Sequence, residues 1–454
     1  MSRGLPILLA VLAGALALGA VAQLLGSGDE QTTRPPGAPL APKAGRADVA
    51  VSASLDERVE TRGSMNGFIH SLDATLPADD KVVSLAPRLW RSEPMRAPID
   101  RAIAFGAQYQ LVLSDLWGYP QSDWNGRGPP WRDLAAWEGF VRDTARAYRS
   151  RPVTWDIWNE PNDPGFWRGG QRRFLEVYSR ANRVLREELG PEIVIGGPSI
   201  SRYAPRWLAG FLDHCLAADC RVSFLSWHEN LKPVDPLDSI SAHLTDARRR
   251  FMEEPRYAPL GLREIHINEY VGKSDRYLAG ETVSYVDQLE RGGADRAAHS
   301  CWSSQDCSPA SLDGLLTPGG VPRSVWWAHR WYAQGAQSRV RSESSHTTVP
   351  VLAAAEPTRA QVLLGYAPRR GALEPRAPSL KRVRLTLRGG VLRTAPRVHV
   401  RAEIVQGASG EEPEPTPLLV VDRLLEPEKG TLRLKLPELG LHEAMLVVVE
   451  PAED

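Results

Sequence analysis

The chain has no net charge: 55 Lys and Arg balance 55 Asp and Glu. Without a field of either sign, no nucleic-acid partner and no anionic lipid partner is expected. Cysteine is scarce, with four residues in two close couples, Cys215 with Cys220 and Cys301 with Cys307. Neither couple is a C-x-x-C and no histidine pair lies beside them at ligand spacing, so no structural zinc is expected. Also absent are H-E-x-x-H, G-x-S-x-G, a phosphate-binding loop and a glycine-rich dinucleotide fingerprint in its strand context. Metalloprotease, serine-hydrolase and nucleotide-dependent chemistries are thereby set aside, and neither cofactor nor metal is expected. There is no long internal repeat.

What is present begins with Met1-Ser2-Arg3 and an apolar run from Leu5 to about Leu25, with small residues at Ala20-Val21-Ala22. This reads as a signal peptide or signal anchor over 1–26, cleaved or retained as an N-terminal membrane anchor; either way the rest is expected to be exported. The first cysteine is Cys215, so no lipid-modified cysteine follows the run. Export favours disulfides, and local pairing within each cysteine couple is the expectation. Residues 27–61, with Arg34-Pro35-Pro36-Gly37-Ala38-Pro39, read as a Pro/Gly/Ala-rich tether.

Across 62–335 short apolar runs alternate with helical patterns. Candidate strands are 67–70, 82–86, 109–113, 153–157, 193–195, 222–226, 264–267 and 294–300. Between them, Trp137, Phe140, Val141, Thr144 and Tyr148 share one helical face, as do Phe174, Val177, Tyr178, Ala181 and Leu185. Eight strands separated by helices in a stretch near the usual size of about 250 residues predict a (β/α)₈ TIM barrel. From 336 to 454 the pattern changes: Val383-Arg384-Leu385-Thr386-Leu387-Arg388 and Leu432-Arg433-Leu434-Lys435-Leu436 alternate apolar with polar. That period of two predicts a C-terminal antiparallel β-sandwich, read as structural support for the barrel.

The chemistry concentrates at two strand ends. Trp155-Asp156-Ile157-Trp158-Asn159-Glu160-Pro161-Asn162 ends the fourth candidate strand, and the proline stops the ladder as Glu160 emerges. Ile265-His266-Ile267-Asn268-Glu269-Tyr270 ends the seventh. Barrel enzymes keep their reacting groups at the carboxyl ends of strands, and strands four and seven lie nearly opposite one another. A lone strand-end glutamate is ordinarily solvated or ion-paired. Two, each behind an asparagine, suit cleavage of an acetal, where one carboxyl group protonates the departing oxygen and the other faces the oxocarbenium-like carbon. The 14 Trp against 8 Phe, with Trp117, Tyr119, Trp124, Trp131, Phe166 and Trp167 on loops, suit stacking on sugar faces; about half of these are expected to pack against each other instead, and the remainder point to a groove.

The Trp-Asn-Glu-Pro element with a later strand-seven glutamate resembles the clan of (β/α)₈ retaining glycosidases. Length, tail sandwich and Ser226-Trp227-His228 on strand six resemble glycoside hydrolase family 39, which includes β-xylosidases, α-L-iduronidases and exopolysaccharide endoglycosidases. The resemblance implies Glu160 as acid/base and Glu269 as nucleophile. It further implies Asn159 on the sugar's 2-hydroxyl, Trp302 as an aromatic floor, and His70 and His228 as polar sugar contacts; Trp117 is a candidate stacking residue. One departure stands out: the clan's tyrosine near strand six, which bonds the nucleophile, is missing from Trp227-His228-Glu229-Asn230. His228 or Tyr270 is the expected substitute, and Glu229 is expected to add negative charge at the rim. The reading is a retaining hydrolase of an extracellular or cell-surface oligo- or polysaccharide; the alternatives are a non-catalytic glycan-binding or assembly protein and a transglycosylase. Nothing in the sequence speaks to oligomeric state.

Overall fold

The computed structural model describes residues 46–94, 96–114, 129–368, 380–407 and 416–452. The expected leader, most of the expected tether, and Trp117, Tyr119 and Trp124 lie outside the described residues. No helix among the described residues is long and apolar enough to cross a membrane.

A first strand, β1 (Arg46–Arg58), precedes the barrel and belongs to a second sheet. Then β2 (Gly67–Ile69), β3 (Leu89–Ser92), β4 (Gln108–Leu113), β5 (Val153–Ile157), β6 (Ile195–Ile200), β7 (Phe224–Glu229), β8 (Glu264–Tyr270) and β9 (Arg296–His299) pair in parallel in that order and close. Barrel strands four and seven are therefore β5 and β8. The helix Leu134–Tyr148 buries Trp137, Val141 and Thr144, and Gly170–Leu189 buries Phe174, Val177, Tyr178, Ala181 and Leu185. Those are faces set by the 3.6-residue period, and each large side chain so buried is worth about 1.5–3 kcal/mol over exposure. Asp133 caps the first of these helices by accepting from the Ala136 N–H at 2.9 Å.

Two expectations are corrected. Residues 82–86 are not the second strand: a short helix, Asp79–Val83, starts with two acids in its first turn and buries Val82, with Leu85 buried just beyond it. The second strand is β3, whose Leu89-Trp90-Arg91-Ser92 carries an arginine through the barrel core. The expected tether also ends early. Val49, Val51, Ala53 and Leu55 alternate with polar residues along β1 and are buried, so the stretch pays its ordering entropy by packing as a strand.

The second sheet adds β10 (Arg339–Ser344), β11 (Val351–Glu356), β12 (Arg359–Gly365), β13 (Leu380–Arg388), β14 (Val398–Val405), β15 (Leu418–Leu425), β16 (Thr431–Gly440) and β17 (Ala444–Pro451). Its order is β15-β14-β17-β12-β11-β10-β1-β13-β16, and β1 with β13 is its one parallel pair. Val383, Leu385 and Leu387 point into its apolar core while Arg382, Arg384 and Arg388 stay wet. Barrel and sheet meet closely at Gly280, whose N–H donates to the His442 carbonyl at 2.8 Å. A Cβ at Gly280 would lie 2.6 Å from the Tyr366 carbonyl oxygen, so only glycine permits this approach.

Of the two cysteine couples, Cys301–Cys307 is bonded, with Cα atoms 5.2 Å apart. Cys215 and Cys220 are not bonded to each other, against expectation. Both lie in the core around the end of the helix Pro205–Ala217 and fill space there as small apolar groups.

Candidate active site

The backbone at the barrel mouth is strained where the two glutamates leave it. Trp158 (φ +82°) and Glu160 (φ +46°) take left-handed conformations that L side chains rarely adopt, as do His70, Ser199 and Val271 at neighbouring strand ends. Packing enforces this. The buried Trp158 ring is wedged edge-on between Trp137 (6.0 Å) and Trp167 (4.8 Å), the Trp158 backbone N–H donates to the Leu113 carbonyl at 2.8 Å, and the Glu160 backbone N–H donates to the Ser199 carbonyl at 2.9 Å. With Trp158 turned outward among the rings, Asn159 and Glu160 turn inward over the bore.

Glu160 and Glu269 converge on His228. The His228 Nδ1 lies 2.8 Å from Glu160 Oε1 and 3.6 Å from Glu269 Oε2, and one ligating atom from each of the three lies within 4.8 Å of the other two. Both carboxyl groups keep a little exposure, 13% and 14%, so a substrate can reach them. Beneath them the barrel core is polar. Arg91, 1% exposed, spreads its guanidinium over three acceptors: Nε to Asp156 Oδ2 (2.8 Å), Nη1 to Glu269 Oε1 (2.8 Å) and Nη2 to Asn159 Oδ1 (2.9 Å). Asp156 also accepts from Gln110, Ser199 and Asn268 at 2.9, 2.7 and 3.1 Å. A buried charge persists only when paired and hydrogen-bonded, and here the pairing is complete. Burial alone would push the Glu269 carboxyl up, but the charges of His228, Arg91 and His70 and the Asn230 amide outweigh it and hold the carboxyl below its ordinary range. The arrangement keeps one carboxylate ionised beside another that shares a histidine with it. The same Glu160, His228 and Glu269 atoms are also close enough to ligate a cation, which would occupy the very oxygens that acetal chemistry uses.

The remaining expected residues fall as follows. Asn159 is buried beside Glu160, with its carbonyl oxygen taken by Arg91. His70 contacts Glu93 Oε2 at 3.0 Å and Ser92 Oγ at 3.3 Å, and its charge acts on Glu269. Trp302 is half-buried on the loop closed by Cys301–Cys307, its indole N–H bonded to the Val271 carbonyl at 3.0 Å. Trp117 lies outside the described residues. Glu229 does not charge the rim: it faces the helix layer, buried, and accepts from Trp227 Nε1 (2.7 Å) while contacting His243 (2.9 Å). Tyr270 is buried and its hydroxyl has no hydrogen-bond partner among the described residues, Glu269 included, so it does not stand in for the strand-six tyrosine. Trp131 and Trp167 pack on each other at 4.4 Å as structural aromatics.

Sequence reasoning missed Arg91, Asp156, Glu93 and Asn230. The signal for Arg91 was an arginine between Trp90 and Ser92 in an otherwise apolar run; such a charge, if buried, demands a carboxylate partner. Asp156 sat inside a strand already assigned and offered the same signal from the other side.

Eight parallel strands closed into a barrel, with carboxyl groups from strands four and seven converging at its mouth, define the fold class: a (β/α)₈ barrel. Residues 119–250 match the model of glycosyl hydrolases family 39. A β-xylosidase of Geobacillus stearothermophilus is 26% identical over 113 residues, which span 23% of this chain and only 22% of that relative. Among solved structures, N2152 from Neocallimastix frontalis superposes with a TM-score of 0.73 at 18% identity, over 89% of this chain and all of that one. The family 39 enzyme of Xanthomonas axonopodis pv. citri gives 0.67 at 14% over 89% and 98% of the two chains. A monomeric β-xylosidase of Caulobacter crescentus gives 0.66 at 15% over 89% and 100%. At these identities the superpositions establish the fold.

Proposed function

We propose that the chain is an exported hydrolase that cleaves O-glycosidic bonds of an extracellular or cell-surface oligo- or polysaccharide with net retention of anomeric configuration. The observation that carries this reading is that one carboxyl oxygen of Glu160 and one of Glu269 lie within 4.8 Å of each other. Retaining enzymes hold their carboxyl groups about 5–5.5 Å apart, whereas inverting ones leave about 6.5–9.5 Å for a water. In the first step Glu160 gives its proton to the departing glycosidic oxygen as that bond breaks, and Glu269 forms an ester with the anomeric carbon. In the second, Glu160 takes a proton from water, whose oxygen attacks the same carbon and releases Glu269. Arg91 and Asn230 hold the nucleophile ionised and aimed before the first step, and receive it again as a carboxylate after the second. The expected leader at 1–26 motivates export. Two similar proteins are named β-xylosidases, which makes an aryl β-xyloside the first substrate to try, followed by an array of defined glycans.

The test pairs Glu160→Gln and Glu269→Gln with proton NMR of the first-formed product. Each variant should fold by circular dichroism yet lose turnover, Glu160→Gln by roughly 10²–10⁴-fold on poor leaving groups. Wild-type turnover in both variants, or an inverted product, defeats the proposal.

A further inference from the structure

The missing strand-six tyrosine leaves a question: what donates to the nucleophile from that side? We propose that Asn230, steadied in its amide orientation by Ser300, is the nucleophile's neutral hydrogen-bond donor and takes the place of the clan's tyrosine. The inference rests on the glycosidase reading for its catalytic meaning, though not for its geometry.

The β7–β8 ladder shifts register so that His228 pairs with Glu269, skipping Asn268. Such a bulge re-aims side chains beside a site, and it brings the residue two beyond His228 alongside the carboxylate. Asn230 Nδ2 lies 3.3 Å from Glu269 Oε2. An amide presents a donor and an acceptor on one pivot, and only its donor suits an ionised carboxylate, which accepts alone. Ser300 reinforces that orientation. Its N–H is fixed to the Tyr270 carbonyl at 2.9 Å, and its Oγ donates to Asn230 Oδ1 at 2.7 Å. A flipped amide could still bond Ser300, whose hydroxyl would then accept from Nδ2, but it would set its oxygen against the Glu269 carboxylate oxygen. Unlike a phenol, the amide has no proton to surrender at any working pH, so it steadies the carboxylate without titrating.

The charged groups that act on Glu269 are Arg91 from β3, His70 just after β2 and His228 from β7; Glu160, just after β5, brings an oxygen within 4.8 Å, and the Glu269 charge in turn raises Asp313 on the loop after β9. Asn230 works with the cations of this set and against burial and the two acids. Its loss must therefore move Glu269 toward the protonated form.

The experiment titrates ¹³C-carboxyl-labelled glutamate by NMR in the full chain, the Glu269 resonance being assigned from Glu269→Gln, alongside kcat/KM against pH. In Asn230→Ala the Glu269 carboxyl should titrate at higher pH than in the wild type, the acid limb of kcat/KM should move the same way, and kcat should fall about tenfold, as expected for one hydrogen bond to a charged group. Ser300→Ala should shift both in the same direction by less, and Ser300→Thr, which restores the hydroxyl, should return them to wild-type values. If Asn230→Ala does not fold, the nearly isosteric Asn230→Asp carries the test and should raise the Glu269 titration further. An unmoved Glu269 titration in the folded variant overturns the proposal. That readout needs no turnover, so a wild type that cleaves nothing would sink the glycosidase reading alone.

Discussion

Arg91→Met is the perturbation that asks most of the structure. The methionine retains most of the side chain's length and apolar volume but withdraws three hydrogen bonds and a charge from a position 1% exposed. Breaking one side of a buried ion pair costs about 3–5 kcal/mol, because the abandoned partner stays desolvated. Asp156 would still have Gln110, Ser199 and Asn268 as donors, which places the expected loss near the lower end, about 3 kcal/mol. Against a whole-protein stability of about 5–15 kcal/mol that is readily measured by urea unfolding followed through tryptophan fluorescence. Glu269 supplies a second readout. Its carboxyl is held below the ordinary range, with burial opposing and His228 and Arg91 prevailing. A carboxyl whose folded pKa is depressed adds stability above its unfolded value of about 4.3, and that stability fades as pH falls through the folded one. The gap between wild type and Arg91→Met should therefore narrow below about pH 4, and the acid limb of kcat/KM should move up in the variant. Arg91→Lys should recover part of the pH effect and little of the stability, since an ammonium cannot reach three acceptors in a fork. A variant within about 1 kcal/mol of wild type at pH 7, with an unmoved acid limb, would refute the account of the polar core.

Two further outcomes follow from the same structure. Burial opposes ionisation of Glu93, yet the His70 contact overrides it and brings the carboxyl down to about 2; the stability it adds is full above its ordinary value of 4.5 and drains between there and 2. Glu93→Gln should therefore be less stable than wild type at pH 6 and converge with it as pH falls toward 2, by urea unfolding at each pH. As to the cysteines, one bonded couple and one unbonded couple predict that the unfolded, unreduced chain reacts with two equivalents of a thiol reagent, and with four after reduction. A mass shift for zero before reduction would place a second bond at Cys215–Cys220.

The barrel was legible because its helices wear their faces openly. Trp137, Val141 and Thr144, then Phe174, Val177, Tyr178 and Ala181, repeat at helical spacing and end up buried. The strands were harder, since a parallel strand buried on both faces has no alternation to read. That is why Val82 and Val83, β-branched and adjacent, passed for a strand although their neighbours Asp79 and Asp80 start a helix. In the second sheet one wet face restores the alternation, as in β13, and the same alternation in β1 was masked only by the proline-rich stretch before it.

Where local rules failed, the failures gather around one place. β3 was missed because an arginine does not belong in a barrel interior unless a carboxylate is already there. Asp156 on β5 is that carboxylate, and Arg91 reaches past it to Asn159 and Glu269. The left-handed Trp158, Glu160, His70 and Val271 break backbone preference at the ends of β5, β2 and β8, around the same mouth. No single one of these departures stabilises the fold: a buried charge costs desolvation and a left-handed side chain costs strain, on the order of 1–3 kcal/mol each. They persist together because each removes freedom from a carboxylate that must stay ionised, oriented and within reach of its opposite. A sequence read for regularity finds the scaffold, and the residues it misreads outline the cleft.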